Sequence, residues 1–192
     1  MALVHATSLP GIAAANSRIL THSGRTFIEV ERFDRVGQHG RLPLCGLDTL
    51  QPAFIGARST DWTELAQRLH GLALLDAASV AAVEHLWWFG RLIANTDMHL
   101  GNLAFHVDHT LRLAPAFDML PMAYAPLAGG EVPPRDFTPP LPLPPQRATW
   151  LTACSAAIEF WRGAGNDSRV SELFRNTCRA NAVRLADTAV KV

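Results

Sequence analysis

Apolar residues recur at helical spacing along four stretches of the chain and at strand spacing along three shorter ones. From Asp76 to Asn95 the residues Val80, Val83, Leu86, Trp87, Leu92 and Ile93 form an apolar surface so wide that the spacing predicts a helix buried on most sides. Asp61 is a fitting N-cap for a shorter helix over 61–71. Two more helices are expected at 148–162, around Trp150 and Trp161, and at 168–188, around Leu173, Phe174 and Leu185. Residues 26–33 alternate with a period near two and predict a strand, entered through a turn at Gly24. Gly37, Gly40 and Pro43 then end it in a loop. Residues 1–20 read as a short helical or irregular lead-in broken at Pro10-Gly11. Residues 103–107 and 111–114, separated by Asp108-His109-Thr110, predict a small hairpin. Ten of the thirteen prolines lie between Pro115 and Pro145, a density that blocks helices and ladder hydrogen bonds, so an irregular excursion is expected there. The pattern is that of a mainly α chain, α+β overall, with a small β insertion in its middle.

Charge narrows the possible partners. Lys+Arg and Asp+Glu balance at 17 each, so no global field draws in nucleic acid or an anionic membrane, and direct nucleic-acid binding is not expected. Cys45, Cys154 and Cys178 are odd in number and contain no C-x-x-C pair, which argues for reduced thiols rather than a disulfide framework or a zinc site. No apolar run approaches the roughly 20 residues of a membrane span, and no signal peptide is visible from Met1 to Pro10. The expectation is a soluble cytoplasmic protein.

The chemistry concentrates after the long helix, in Asn95-Thr96-Asp97-Met98-His99-Leu100-Gly101-Asn102 and, beyond the hairpin, in Ala116-Phe117-Asp118. Phosphoryl transfer from ATP needs one carboxylate to orient the attacking hydroxyl and accept its proton. A second carboxylate and an amide oxygen then hold Mg²⁺ against the phosphates. Magnesium takes hard oxygen ligands and keeps several waters, so few protein ligands suffice. The bland alternative for the same residues is a turn cap at Asp97, a loop-satisfying amide at Asn102 and a turn-initiating acid at Asp118. D-x-x-x-x-N alone does not separate the two.

Three motifs in order carry a resemblance. Residues 96–102 are similar to the T-D-x-H-x-x-N catalytic loop of HipA-family serine/threonine kinases. Residues 113–121 resemble that family's L-A-P-x-Y-D-x-x-P segment, and residues 29–35 its E-R-F-D-R strand. The longer wording around Gly90-Arg91-Leu92 and Met119-Leu120-Pro121-Met122 resembles the HipH-like (YjjJ-like) branch. The resemblance implies a protein-kinase-like C-lobe with a hinge strand, the hairpin carrying the catalytic and metal loop. Residues 1–35 would be a remnant of the N-lobe with its hinge, and 36–192 the C-terminal kinase lobe. It implies Asp97 as catalytic base, with His99 two residues on in the catalytic loop. Asn102 and Asp118 would be the metal ligands, and the backbone of Glu31, Arg32 and Phe33 would meet adenine. Mg²⁺ and ATP are the implied cofactors and a protein Ser or Thr the implied acceptor, in a toxin–antitoxin setting. A complementing N-lobe or an antitoxin would be the partner.

One lysine, Lys191, stands in the whole sequence, and no Gly-rich phosphate-covering loop precedes the 26–33 strand. Kinases rely on such groups, so the chain is expected to be truncated, and weak or inactive alone. Ile12, Ile19, Phe27, Ile28 and Val30 are expected to face the absent lobe as exposed apolar surface. A divalent-metal nuclease or phosphodiesterase built from His99, His106 and His109 with the neighbouring acids is a second reading. A non-catalytic kinase-like binding module is a third. Trp87, Trp88, Trp150 and Trp161 are expected in the core, and Arg32, Asp34 and Arg35 in an ion-pair cluster.

Overall fold

In the computed structural model, which describes residues 1–56 and 58–192, the chain opens with α1 (Ala2–Ala6) and then forms a hairpin of β1 (Ser17–His22) and β2 (Arg25–Val30). The turn between them uses Ser23 and Gly24, both at positive φ. A second, minimal hairpin pairs β3 (Arg35–Val36) with β4 (Gly40–Arg41). The sheet order β5-β6-β7 then joins β5 (Leu44–Gly46), β6 (Ala104–Val107) and β7 (Leu111–Leu113), all antiparallel. The helices are α2 (Leu47–Leu50), continued by a π-helical turn Gln51–Ile55, then α3 (Trp62–Gly71), α4 (Ala77–Leu92), α5 (Arg147–Asn166) and α6 (Glu172–Ala189).

The helix starts are set by short acids. The Asp61 carboxylate accepts from the N–H groups of Thr63 at 2.8 Å and Glu64 at 3.3 Å. The Asp76 carboxylate accepts from the Ser79 N–H at 2.7 Å, which also holds its pKa below the usual carboxylate range. Each such cap stabilises its helix by about 1 kcal/mol. The end of α4 is set by geometry: Ala94 adopts φ 58°, so the helix stops at Leu92, three residues before the periodicity suggested.

The core lies between α3, α4, α5 and α6, and its aromatic residues tie the parts together. Trp62, Trp150 and Trp161 are fully buried, and their indole N–H groups donate to the carbonyls of His99 (3.3 Å), Pro140 (2.8 Å) and Leu92 (3.0 Å). Burying each ring removes apolar surface worth about 2–3 kcal/mol from water while leaving no polar atom unpaired. Trp88 is buried as expected, whereas Trp87 is half-buried and tilts against Trp62 at 5.7 Å. The proline-rich excursion is irregular apart from two short 3₁₀ turns, Met122–Tyr124 and Pro144–Gln146. It is anchored by buried Phe137, 6.1 Å from Trp161.

Three expectations need correction. The strands are more than a small central insertion, because residues 17–22 form β1 and residues 44–46 a third strand on the 104–113 hairpin, while the mix of helix and strand expected overall is present. The 26–33 strand ends at Val30, where Glu31 leaves the ladder toward Asn16. Ile12 is not exposed: Leu9 and Ile12 are in the main core with α1. Ile19, Phe27, Ile28 and Val30 are exposed, as expected. Among the described residues no helix is long and apolar enough to cross a membrane.

Candidate functional site

The loop after α4 is held by its own amides. Asn95, buried, accepts the Asp97 N–H at 3.0 Å on its Oδ1, and its Nδ2 faces the Met119 sulfur at 3.9 Å. Asn95 therefore touches both halves of the motif, the Asp97 loop and the segment following Asp118. Asn102, also buried, donates its Nδ2 to the Asp97 carbonyl at 2.8 Å. That bond settles the amide orientation, because the nitrogen is committed inward and the Oδ1 has no donor among the described residues. His99 caps the 3₁₀ turn Leu100–Asn102 by accepting the Gly101 N–H on Nδ1 at 3.1 Å. Its Nε2 lies 4.0 Å from the Asp97 carboxylate, and both side chains are more than half exposed.

Gly90 explains how the two segments come so close. A Cβ there would sit 2.6 Å from the Met98 sulfur and 3.0 Å from the Met119 methyl. Both methionines thus pack on the bare backbone of α4, one from each side of the site. The Ala123 N–H then donates to the Ala94 carbonyl at 3.0 Å. Asp118 itself is exposed and holds φ 55°, a left-handed conformation that is costly for most L residues and tolerated best by Asn, Asp and Gly.

Residues 31–33 reach the same place from the other direction. The Glu31 N–H donates to the Asn16 carbonyl at 2.8 Å, and the Arg32 carbonyl accepts from the Arg35 N–H at 3.2 Å, leaving the Phe33 N–H without a partner among the described residues. The Phe33 ring packs 5.8 Å from Phe117 and edge-on to His106 at 6.1 Å. Ala116, just before Phe117, bridges in parallel to Ala14. The expected ion-pair cluster is present: Arg32 binds Asp34 through two bonds of 2.6 Å, and Arg35 adds a contact at 3.7 Å. The guanidinium of Arg32 holds the Asp34 carboxyl below its usual range.

The two candidate ligands, the Asn102 Oδ1 and the exposed Asp118 carboxylate, are of the oxygen type that a hard cation takes. The histidines do not gather: His106 lies against Phe33, while the fully exposed His109 pairs with Asp108 at 3.9 Å and with no other acid among the described residues. Among the described residues no three His, Cys, Asp or Glu side chains cluster as a metal site. Sequence reasoning named Gly90 and Asn95 only within longer stretches and gave neither a role. A glycine inside a strongly apolar helix is the signal that could have revealed the first.

Residues 1–184 match the family model described as the HipA-like C-terminal domain. Toxin YjjJ of Escherichia coli K12 is 39% identical over 184 residues, which is 95% of this chain and 41% of YjjJ. The chain thus spans about two fifths of that relative's length. Among solved structures, HipA in the Shewanella oneidensis HipA–HipB–operator DNA complex superposes with a TM-score of 0.59 at 15% identity, covering 99% of this chain and 54% of that one. The Helicobacter pylori proinflammatory kinase CtkA superposes with a TM-score of 0.61 at 12% identity, covering 100% of this chain and 78% of that one. These two likenesses establish a kinase-like fold.

Proposed function

The chain belongs to the HipA-like C-terminal domain family, and from that premise we propose that it carries the catalytic loop of a Mg-ATP-dependent serine/threonine protein kinase of toxin–antitoxin type. The observation that carries this reading is the Asn102–Asp97 bond at 2.8 Å. It holds the Asp97 backbone against a buried amide that satisfies the loop with its nitrogen and keeps its oxygen for a cation.

In this reading Asp97, exposed and free to meet an acceptor, takes the proton of the attacking Ser or Thr hydroxyl. The Asn102 Oδ1 and the Asp118 carboxylate hold the cation. When bound, Mg²⁺ neutralises charge on the phosphates and orients them. Phe33, seated on Phe117, presents its unpartnered N–H to the adenine edge, with Glu31 pinned to Asn16 and Arg32 turned toward Arg35, and Glu31, Arg32 and Phe33 together form the nucleotide hinge. His99 is a positioning residue, tethering the 3₁₀ turn through Gly101 while flanking the base. HipA in its solved complex is bound to HipB and operator DNA, and an antitoxin protein is the partner proposed here.

The only lysine, Lys191, lies just past α6. None of Asp97, Asn102, Asp118 or residues 31–33 is a lysine that could clamp the phosphates, and transfer by these residues alone is expected to be slow. The test is transfer of labelled γ-phosphate to a Ser/Thr acceptor protein. Asp97→Asn should lower the rate by about 100-fold or more, the usual yield of a positioned base. An unchanged rate removes Asp97 from the chemistry. The nuclease reading loses support from the dispersed histidines, and the binding-module reading is favoured only if nucleotide fails to bind.

A further inference from the structure

Beside Thr96, the residue before Asp97, a cleft of about 460 Å³ opens between the last turn of α4 and the proline-rich excursion. Its charged walls are Arg91, Arg135 and Asp136. A second cleft of about 550 Å³ shares Tyr124 and Arg135 with the first and continues it over Val132, Pro133, Leu173 and Phe174. The two are thus one groove with a polar end at the catalytic loop and an apolar end against the start of α6.

The charges at the polar end do not cancel. Asp136 faces Arg184 at 3.5 Å. Arg91 and Arg135 have no carboxylate partner among the described residues. The Arg91 guanidinium instead lies over the rings of Trp87 and Trp88, at 5.8 and 5.2 Å. That stacking holds its position without consuming its hydrogen-bond donors. At the other end Leu173 is 80% exposed and Val132 57%, unusually open for large aliphatic side chains on facing walls of a cleft.

We infer that this groove seats the protein segment on which the site acts, and that the segment places an acidic side chain between Arg91 and Arg135 and an apolar one over Leu173, Phe174 and Val132. The inference rests on the phosphoryl-transfer reading for its consequence, because the polar end adjoins the acceptor position at Asp97. Charge complementarity selects an acidic segment, and the apolar continuation selects a polypeptide over a nucleic acid, whose repeating phosphates would need a basic track along the whole groove.

The test is fluorescence anisotropy with three labelled serine-centred decapeptides: one with glutamates and a leucine, one with lysines in place of the glutamates, and one with alanine in place of the leucine. Two rim ion pairs are together worth about tenfold in affinity at low salt. The glutamate–leucine peptide should therefore bind about tenfold more tightly than the lysine peptide and several-fold more tightly than the alanine one. Arg91→Glu with Arg135→Glu should abolish the preference, and Asp97→Asn should leave it intact. Arg135→Glu alone serves if losing the Arg91 stack unsettles Trp88. Equal binding of acidic and basic peptides, or a preference that survives both charge reversals, overturns the inference. Stabilisation by Mg-ATP, measured in parallel, reports on the phosphoryl-transfer reading separately. Arg-dependent peptide binding without it retains the groove and discards the kinase, and the converse result does the opposite.

Discussion

Asn102 and Asp97, five residues apart, are tied by the Asn102 Nδ2 donating to the Asp97 carbonyl at 2.8 Å, with the Asn102 side chain buried. One amide thus braces the proposed base with its nitrogen and offers its oxygen to a cation. The two roles are separable. Asn102→Ala removes both and leaves a carbonyl without its donor, and should lower stability by about 1–3 kcal/mol. Asn102→Asp retains an oxygen ligand but turns an acceptor toward a carbonyl, so it should lose stability while keeping some cation affinity. Urea unfolding paired with Mg²⁺-dependent nucleotide binding checks both; equal stability of Asn102→Ala and the parent protein removes the brace.

Asp118 should trade stability for function. Its left-handed backbone is a conformation glycine adopts freely. Asp118→Gly is expected to hold stability level or raise it by up to about 1 kcal/mol, while eliminating stabilisation by Mg-ATP. Asp118→Val should be clearly destabilising, since a β-branched residue tolerates this region poorly. Thermal melts with and without nucleotide distinguish the cases.

Gly90 tests the contact between the two segments. Alanine is the better helix former by about 1 kcal/mol, but its methyl would displace the Met98 and Met119 ends. Overpacking of this kind costs about 1–3 kcal/mol. Gly90→Ala should therefore lower the melting temperature modestly and lower phosphoryl transfer much more, because Met98 lies between Asp97 and His99. A variant that melts lower but transfers normally would place Gly90 in the core alone.

Burial pushes the thiols of Cys154 and Cys178 up to about 11, and raises the Tyr124 phenol as well. A raised folded-state pKa favours the protonated form, so the stability tied to these groups is complete below pH 9. It is lost as the pH rises toward 11, where the unfolded chain ionises first. The loss should be on the order of 2 kcal/mol per thiol. Urea midpoints at pH 8 and pH 10.5 measure it, and replacing both cysteines with alanine should shrink the difference to the share carried by Tyr124 and Cys45; an unchanged difference would assign the alkaline loss elsewhere.

Much of this architecture is legible along the chain. The Asp61 cap, the start of a helix at Asp76, the apolar face of α4 and the 104–113 hairpin are local signals that need no tertiary help. β1 escaped because Ser17–His22 is exposed on both faces apart from half-exposed Ser17, so no alternation marks it. β5 escaped because its partner lies some sixty residues away, and pairing at that distance leaves no short-range trace. The α4 terminus depends on one alanine in a left-handed conformation, which composition does not encode. Asp97, Asn102 and Asp118 were readable as types and spacing. Which end of the Asn102 amide points inward, and how Gly90 lets Met98 and Met119 converge, are settled only on folding. The groove arginines, Arg91 and Arg135, are 44 positions apart and join only through the fold.

The central claim is that Asn102 and Asp118 bind a magnesium nucleotide, and the direct measurement is thermal stability during titration of Mg²⁺ and ATP, with Asp118→Asn as the control. Ligand at 100 times its dissociation constant adds about 2.7 kcal/mol, a rise of about 5–10 °C for a chain of this size. The account predicts a shift that requires Mg²⁺ and vanishes in Asp118→Asn. No shift at about millimolar ATP, or one indifferent to both Mg²⁺ and Asp118, would contradict it.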